Sequence, residues 1–306
     1  MADEDPSGFN YKIIRDPMNE LLVSTGNLLE RDWPSRYSHT KDGQMVLLQY
    51  VRMAMSHFRA VTFLCADVGD TAVRSPLLAL SVPPINRSIL EIIFSLLYLL
   101  EDLPEHTKHY FRAAWRAEQE ALDQFRKRYG GRGRSRWDEY IANRTEKQAK
   151  MEAVLPITPD EKNDLNKILR WPKMRQLRGR LKNSPRTLSY LEYLDDWFYR
   201  ELSTQAHGEP AGVGEMGLHF LGMDELKLIS GEDRDGVELR LGAKLIEFKT
   251  TQVWIAITLI LSLLSEVEVH FGYSNKPKLL FVWTIINEYS QISEEVYKER
   301  YQSLFS

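Results

Sequence analysis

Six polar residues sit where apolar ones would be expected: Arg87, Glu91, Tyr199, Arg200, Ser203 and His207. Arg87 and Glu91 lie one turn apart in the run 85–100, among Ile89, Ile92, Ile93, Leu96, Leu97 and Leu100. With Arg87 set at zero on a helix, Glu91 falls at about 40°, Tyr98 at about 20° and Ser95 at about 80°. A helix apolar over most of its circumference is a buried one. The two charges are therefore expected in or near the core, where a charge must be paired. Glu91 can serve one side of Arg87, but a guanidinium has five donors, so more polar groups should face this stripe. The run 187–206 offers them. With Tyr199 at zero, Ser203 falls at about 40°, His207 at about 80° and Arg200 at about 100°, beside an apolar face of Leu188, Leu191, Phe198 and Leu202. The two stripes are expected to meet. His207 precedes Gly208, Glu209, Pro210 and the glycine-containing run 211–214. It sits where a helix gives way to a loop, held on one side and accessible on the other. A polar cluster that only fixes helix register, with His207 favoured by the helix dipole, is the alternative.

Helical periodicity dominates the elements that must carry these residues. It predicts helices over 18–31, 43–66, 83–101, 104–129, 137–154, 159–170, 187–206, 243–271 and 278–305. Pro83, Pro84 and Pro104 mark starts, and Gly130-Gly131 marks a stop. Residues 226–241 hold Gly-Glu-Asp-Arg-Asp-Gly between short apolar runs, which predicts one small β-hairpin. The expectation is an all-α bundle of about eight helices in a single domain over 1–306, with a basic, partly irregular, insertion-like segment at 126–186.

Charge is uneven. The chain carries a net −3, yet residues 126–190 hold 18 Lys/Arg against 7 Asp/Glu. The densest part is Lys167, Arg170, Lys173, Arg175, Arg178, Arg180, Lys182 and Arg186, with no acid from 167 to 186. A second cluster runs from Arg126-Lys127-Arg128 through Arg132 and Arg134 to Arg136. Basic, glycine-containing segments suit phosphate backbones. The plainer reading is a solvated surface balanced by acids elsewhere.

Several classes are excluded or weak. One cysteine, Cys65, allows no internal disulfide and no four-cysteine zinc site, and in its apolar helix it reads as core. Residues 1–10 lack the pattern of a signal peptide. The longest uncharged stretch, 250–265, is shorter than the roughly 20 residues of a span and carries polar groups, so it reads as a core helix. A cytoplasmic location without a membrane partner is expected. His106 with His109, or Glu266 with His270, could offer two metal ligands each, which is thin. No phosphate loop, serine elbow or complete deaminase motif is present. No cofactor is expected. Trp171, beside Pro172 in the basic stretch, could stack on a base.

Two resemblances follow from these motifs. Arg87/Glu91 as Arg-x-x-x-Glu, with Tyr199, Leu202, Ser203 and His207 as Tyr-x-x-Leu-Ser-x-x-x-His, resembles a domain-of-unknown-function family of mainly prokaryotic helical proteins. The match spans about residues 80–270 and implies a helical fold. Arg200 and His207, separated by six residues, resemble the Arg-x(4–6)-His motif of the HEPN superfamily. That resemblance implies metal-independent RNA cleavage and a role in prokaryotic defence or in a toxin–antitoxin system. His207 would be general acid or base. Arg200 or Arg87 would stabilise charge on phosphate. The 167–186 segment would hold the RNA backbone, and a homodimer would form the cleft. Beside this ribonuclease stand two other readings: a non-enzymatic module that binds a nucleotide or a partner protein, and a structural cluster with no site.

Overall fold

The computed structural model describes residues 12–38, 40–65, 76–130, 135–181, 185–206 and 234–305. The protein is all-α, and no strand occurs among the described residues. The helices are α1 (Lys12–Arg31), α2 (Lys41–Cys65), α3 (Val82–Glu101), α4 (Leu103–Tyr129), α5 (Ser135–Val154), α6 (Pro159–Asn163) and α7 (Met174–Arg180). They continue with α8 (Pro185–Leu194), α9 (Arg200–Ala206), α10 (Arg234–Phe271), α11 (Lys276–Tyr289), α12 (Gln291–Val296) and α13 (Gln302–Phe305). The chain divides into two compact units, 1–98 with 178–306, and 99–177.

The first unit is organised around α10, which packs against α1, α2, the 3-10 turn Pro76–Ser81, α11 and α12. From Gln252 to Glu268 every α10 residue is buried. Burial on all sides is tolerable because the polar groups there are paired. The Asn86 amide donates to the Gln252 carbonyl and side chain at 3.0 Å each. Thr258 and Ser293 hydroxyls meet at 2.6 Å, and Trp283 Nε1 donates to Ser265 Oγ at 3.0 Å. The helix ends at Gly272, whose φ of +69° favours glycine. Two segments, 79–101 and 246–271, are long and apolar enough to cross a membrane by length and composition, and 56% and 83% of their most apolar windows are buried in the protein.

The second unit is built on an α4–α5 hairpin. Asp102 caps α4, accepting from Glu105 N at 3.2 Å, with Pro104 in the first turn. Buried Arg116 donates to Glu120 Oε1 (2.8 Å), the Ile168 carbonyl (2.5 Å) and Asn166 Oδ1 (3.2 Å). One side chain thereby holds the irregular 164–170 stretch onto α4.

Four expectations need correction. The hairpin near 226–241 does not form as expected: 234–241 is the beginning of α10, and 226–233 lies outside the described residues. Helix propagation adds one bond per residue fixed, so the long apolar α10 extends into its polar leading segment more readily than a strand without a partner forms. The predicted 278–305 helix is broken at Ser290, which is extended and caps α12 by accepting from Ser293 N at 3.2 Å. The predicted 159–170 helix stops at Asn163, where Asp164 turns its side chain onto Asn166 N at 3.1 Å. The 187–206 helix contains a π turn at Asp195–Tyr199.

A second π turn, Tyr297–Tyr301, carries the most buried ion pair described. Arg300 donates Nε to Glu266 Oε1 at 2.8 Å and Nη2 to Glu266 Oε2 at 3.0 Å, with side-chain exposures of 7% and 5%. Tyr301 OH donates to Glu266 Oε1 at 3.0 Å, and Thr187 Oγ1 accepts from Arg300 at 3.3 Å. Burial opposes the Arg300 charge, but Glu266 holds its pKa above the ordinary arginine value. Burial, then the Glu266 charge, pushes Tyr190 up to about 12.

Glu266→Ala strands the Arg300 charge and should lower unfolding free energy by about 3–5 kcal/mol. The double variant Glu266→Leu/Arg300→Met should recover most of that loss. Urea titration of the three proteins checks both, and a double variant no better than the single one would refute the account.

At the end of α10, burial, then the nearby Arg36 charge, pushes His270 down from 6.5 to about 4. Its Nε2 lies 3.0 Å from Tyr37 OH. The unfolded chain then binds a proton between pH 6.5 and 4 that the folded chain excludes, so His270 weakens the fold as pH falls through that window and has no such effect above it. Thermal melts across pH 4–7 should show His270→Gln losing less stability on acidification than the parent.

Candidate functional site

The two predicted stripes meet. Arg87 on α3 donates Nη2 to Tyr199 OH at 3.3 Å and Nε to Glu91 Oε1 at 3.2 Å. Its guanidinium carbon lies 5.2 Å from the centroid of the Tyr199 ring. That ring in turn leans on Phe94, with centroids 6.1 Å apart. Tyr199 thus gives its apolar body to the core and its hydroxyl to the arginine. The π turn helps to set this direction. It widens the helix by about one residue, buries Phe198 and leaves Tyr199 at the edge.

The site is open rather than sealed. The Arg87 side chain is 16% exposed and that of Glu91 is 53% exposed. The expectation of a fully buried α3 therefore fails at Glu91, which lies on the solvent side. Further along the stripe, Arg180 Nη1 lies 3.5 Å from Tyr98 OH, the outer limit of a hydrogen bond. Ser203 is half-buried on α9, one turn beyond Tyr199. Arg200 is 78% exposed and approaches Asp196, also exposed, at 3.6 Å. His207 lies outside the described residues.

The basic tract is partly engaged. Lys167 Nζ pairs with Asp160 Oδ2 at 2.5 Å, and Arg170 Nη2 with Glu120 Oε1 at 2.8 Å. Arg186 donates to the Arg300 carbonyl at 2.7 Å and to Ser303 Oγ. Lys173, Arg175 and Arg180 are exposed. Lys182 and the Arg178 side chain lie outside the described residues. Trp171 packs edge-on against Tyr110 at 5.1 Å and beside His109 at 5.4 Å, so rings of the same chain already surround it.

Among the described residues, no group of three His, Cys, Asp or Glu side chains is arranged to hold a metal ion. Glu266 is taken up by Arg300 and His270 faces Tyr37, so that helical pair is not a ligand pair here. The sequence reading missed the Arg300 network. Its signal was Glu266 directly after an uncharged sixteen-residue run, where an acid needs a partner. Compared with protein-family models, curated proteins and solved structures, the chain matches none, so the resemblances rest on their motifs.

A partly solvated bond at 3.3 Å contributes modestly. Tyr199→Phe keeps the ring on Phe94 and should lower unfolding free energy by about 1 kcal/mol or less. A loss above about 3 kcal/mol in urea titration would mark the cluster as a structural lock instead.

Proposed function

We propose that this chain acts on RNA at the Arg87–Glu91–Tyr199 cluster, as a metal-independent ribonuclease with His207 as its proton-transfer group. The observation that carries this reading is Arg87, paired with Glu91 one turn along its own helix and with Tyr199 from a distant segment, yet still reached by solvent. A guanidinium in that setting can exchange its exposed carboxylate partner for a phosphate. The Tyr199 hydroxyl accepts from Arg87 and keeps its own proton to donate to a phosphate oxygen. In the reaction the ribose 2′-hydroxyl loses its proton to a base and its oxygen bonds phosphorus. The bond from phosphorus to the 5′-oxygen breaks, and that oxygen takes up a proton. Imidazole, titrating near neutral pH, suits either transfer, and Arg87 would stabilise the negative charge that develops on phosphate.

A second reading has its own support. Arg200, the arginine of the Arg-x(4–6)-His motif, pairs with Asp196 on the solvent side. That favours a module that binds a nucleotide or RNA without cutting it.

Purified parent, His207→Ala and Arg87→Ala proteins incubated with RNA in EDTA separate the two. Cleavage by the parent alone, leaving 2′,3′-cyclic phosphate ends, is the expected result. Saturable RNA binding with no cleavage would replace the nuclease by the binding module. Neither binding nor cleavage would end both.

A further inference from the structure

The tip of the α4–α5 hairpin holds a second basic, aromatic surface, built from none of the residues of the Arg87 cluster. Residues 126–136 contain six Lys/Arg and no Asp/Glu. Of these, Arg126, Lys127 and Arg128 close α4 and Arg136 lies in the first turn of α5, all exposed. Between the two helices Tyr129 and Trp137 stack with centroids 4.4 Å apart and planes 8° from parallel. Phe125 meets Tyr140 edge-on at 5.2 Å. Tyr129 and Trp137 are half-buried, and Tyr140 is exposed.

Arg144 fixes this aromatic group in place. It donates Nε to Glu118 Oε1 at 2.6 Å and Nη2 to Glu118 Oε2 at 2.5 Å, forming a fork between α5 and α4. Its Nη1 donates to Tyr140 OH at 2.7 Å, and its guanidinium lies over the Phe125 and Tyr140 rings. The rings are thus held before any ligand arrives, which reduces the ordering cost of binding.

Helix stability does not account for the charges. Cations in the last turn of α4 suit the helix dipole, but Arg136 in the first turn of α5 opposes it. Three acids temper the patch: Asp123, 3.5 Å from Arg126, and exposed Asp138 and Glu139. Four described cations against three acids leave a local excess beside a flat two-ring stack.

We propose that this hairpin tip binds single-stranded nucleic acid, with a base extending the Tyr129–Trp137 stack and Lys127, Arg128 and Arg136 contacting the phosphates. Stacking on a ring requires an unstacked base, which a single strand offers and a duplex does not. The inference deepens the RNA reading and rests on it for biological meaning, by naming a surface that would hold the strand.

The test uses the full chain and fluorescently labelled oligothymidine of about a dozen nucleotides, a length that covers a single-strand site. Thymidine lacks the 2′-hydroxyl, so binding is read without the cleavage reaction, and failure of the nuclease leaves the result interpretable. Anisotropy at about 0.15 M salt should show binding by the parent. Trp137→Leu and the triple variant Lys127→Gln/Arg128→Gln/Arg136→Gln should each bind about tenfold more weakly. The triple variant should also have the shallower salt dependence. Its changes are all at exposed positions, so it carries the test if Trp137→Leu fails to fold. No binding by the parent, or parent-like binding by the triple variant, would overturn the proposal. So would capture by phosphatidylserine vesicles with no binding to the oligonucleotide.

Discussion

The first unit depends on an ion pair placed where water cannot help it. Removing Arg300 and Glu266 from solvent carries a desolvation cost of several kcal/mol per ion, which only close pairing and further hydrogen bonds can offset. The protein supplies both contacts of a bidentate fork, the Tyr301 hydroxyl on the carboxylate and Thr187 on the guanidinium. These groups come from three parts of the chain: Glu266 from α10, Arg300 and Tyr301 from the C-terminal π turn, and Thr187 from α8. The condition that Glu266 be satisfied therefore fixes α8, α10 and the C-terminal π turn against one another. An apolar contact would tolerate a small rotation of α10, but a fork with two further polar partners does not. The widened turn at 297–301 is consistent with that demand, since it presents consecutive residues Arg300 and Tyr301 to the same carboxylate.

Helices were legible in the sequence because their apolar residues recur with the period of the helix and because Pro104, Gly130 and their like punctuate them. What periodicity could not supply was anything decided by a distant partner. Both π turns insert a residue into a regular repeat, and an angular reading of 187–206 carries no mark of the insertion. The interruption at Ser290 depends on a single side chain capping the next turn. The 226–241 hairpin was a local reading of a Gly-Glu-Asp-Arg-Asp-Gly run, and the long helix behind it prevailed over its second half. Glu266 and Arg300, 34 positions apart, are ordinary surface residue types until the fold brings them together.

The Arg87 cluster was more legible for a specific reason. Arg87 and Glu91 interrupt a run so apolar that they demanded partners, and Tyr199 bordered an apolar face that had to be buried. The residue pairing was recovered, but its burial was not. The reading of α3 as wholly interior ignored the possibility that one edge of a mostly apolar helix can remain at the surface, which is where Glu91 is found.

The two arginine–glutamate pairs of this unit differ in what they can do. Arg300 and Glu266 are almost fully buried and hydrogen-bonded to Tyr301 and Thr187, so they contribute specificity of packing and are closed to a ligand. Glu91 is half in water, while the Arg87 side chain is largely covered and only partly reached by solvent. A solvent-exposed pair is typically worth about 0–1 kcal/mol, and Glu91 is the exposed partner of this one. Exchange of Glu91 for an external anion costs correspondingly little, while Tyr199 and Phe94 hold the guanidinium in position from the protein side. Under the proposed function, the Arg87 guanidinium, anchored by Tyr199 on the protein side, would be the group that receives the ligand, whereas the Arg300 network is closed to one.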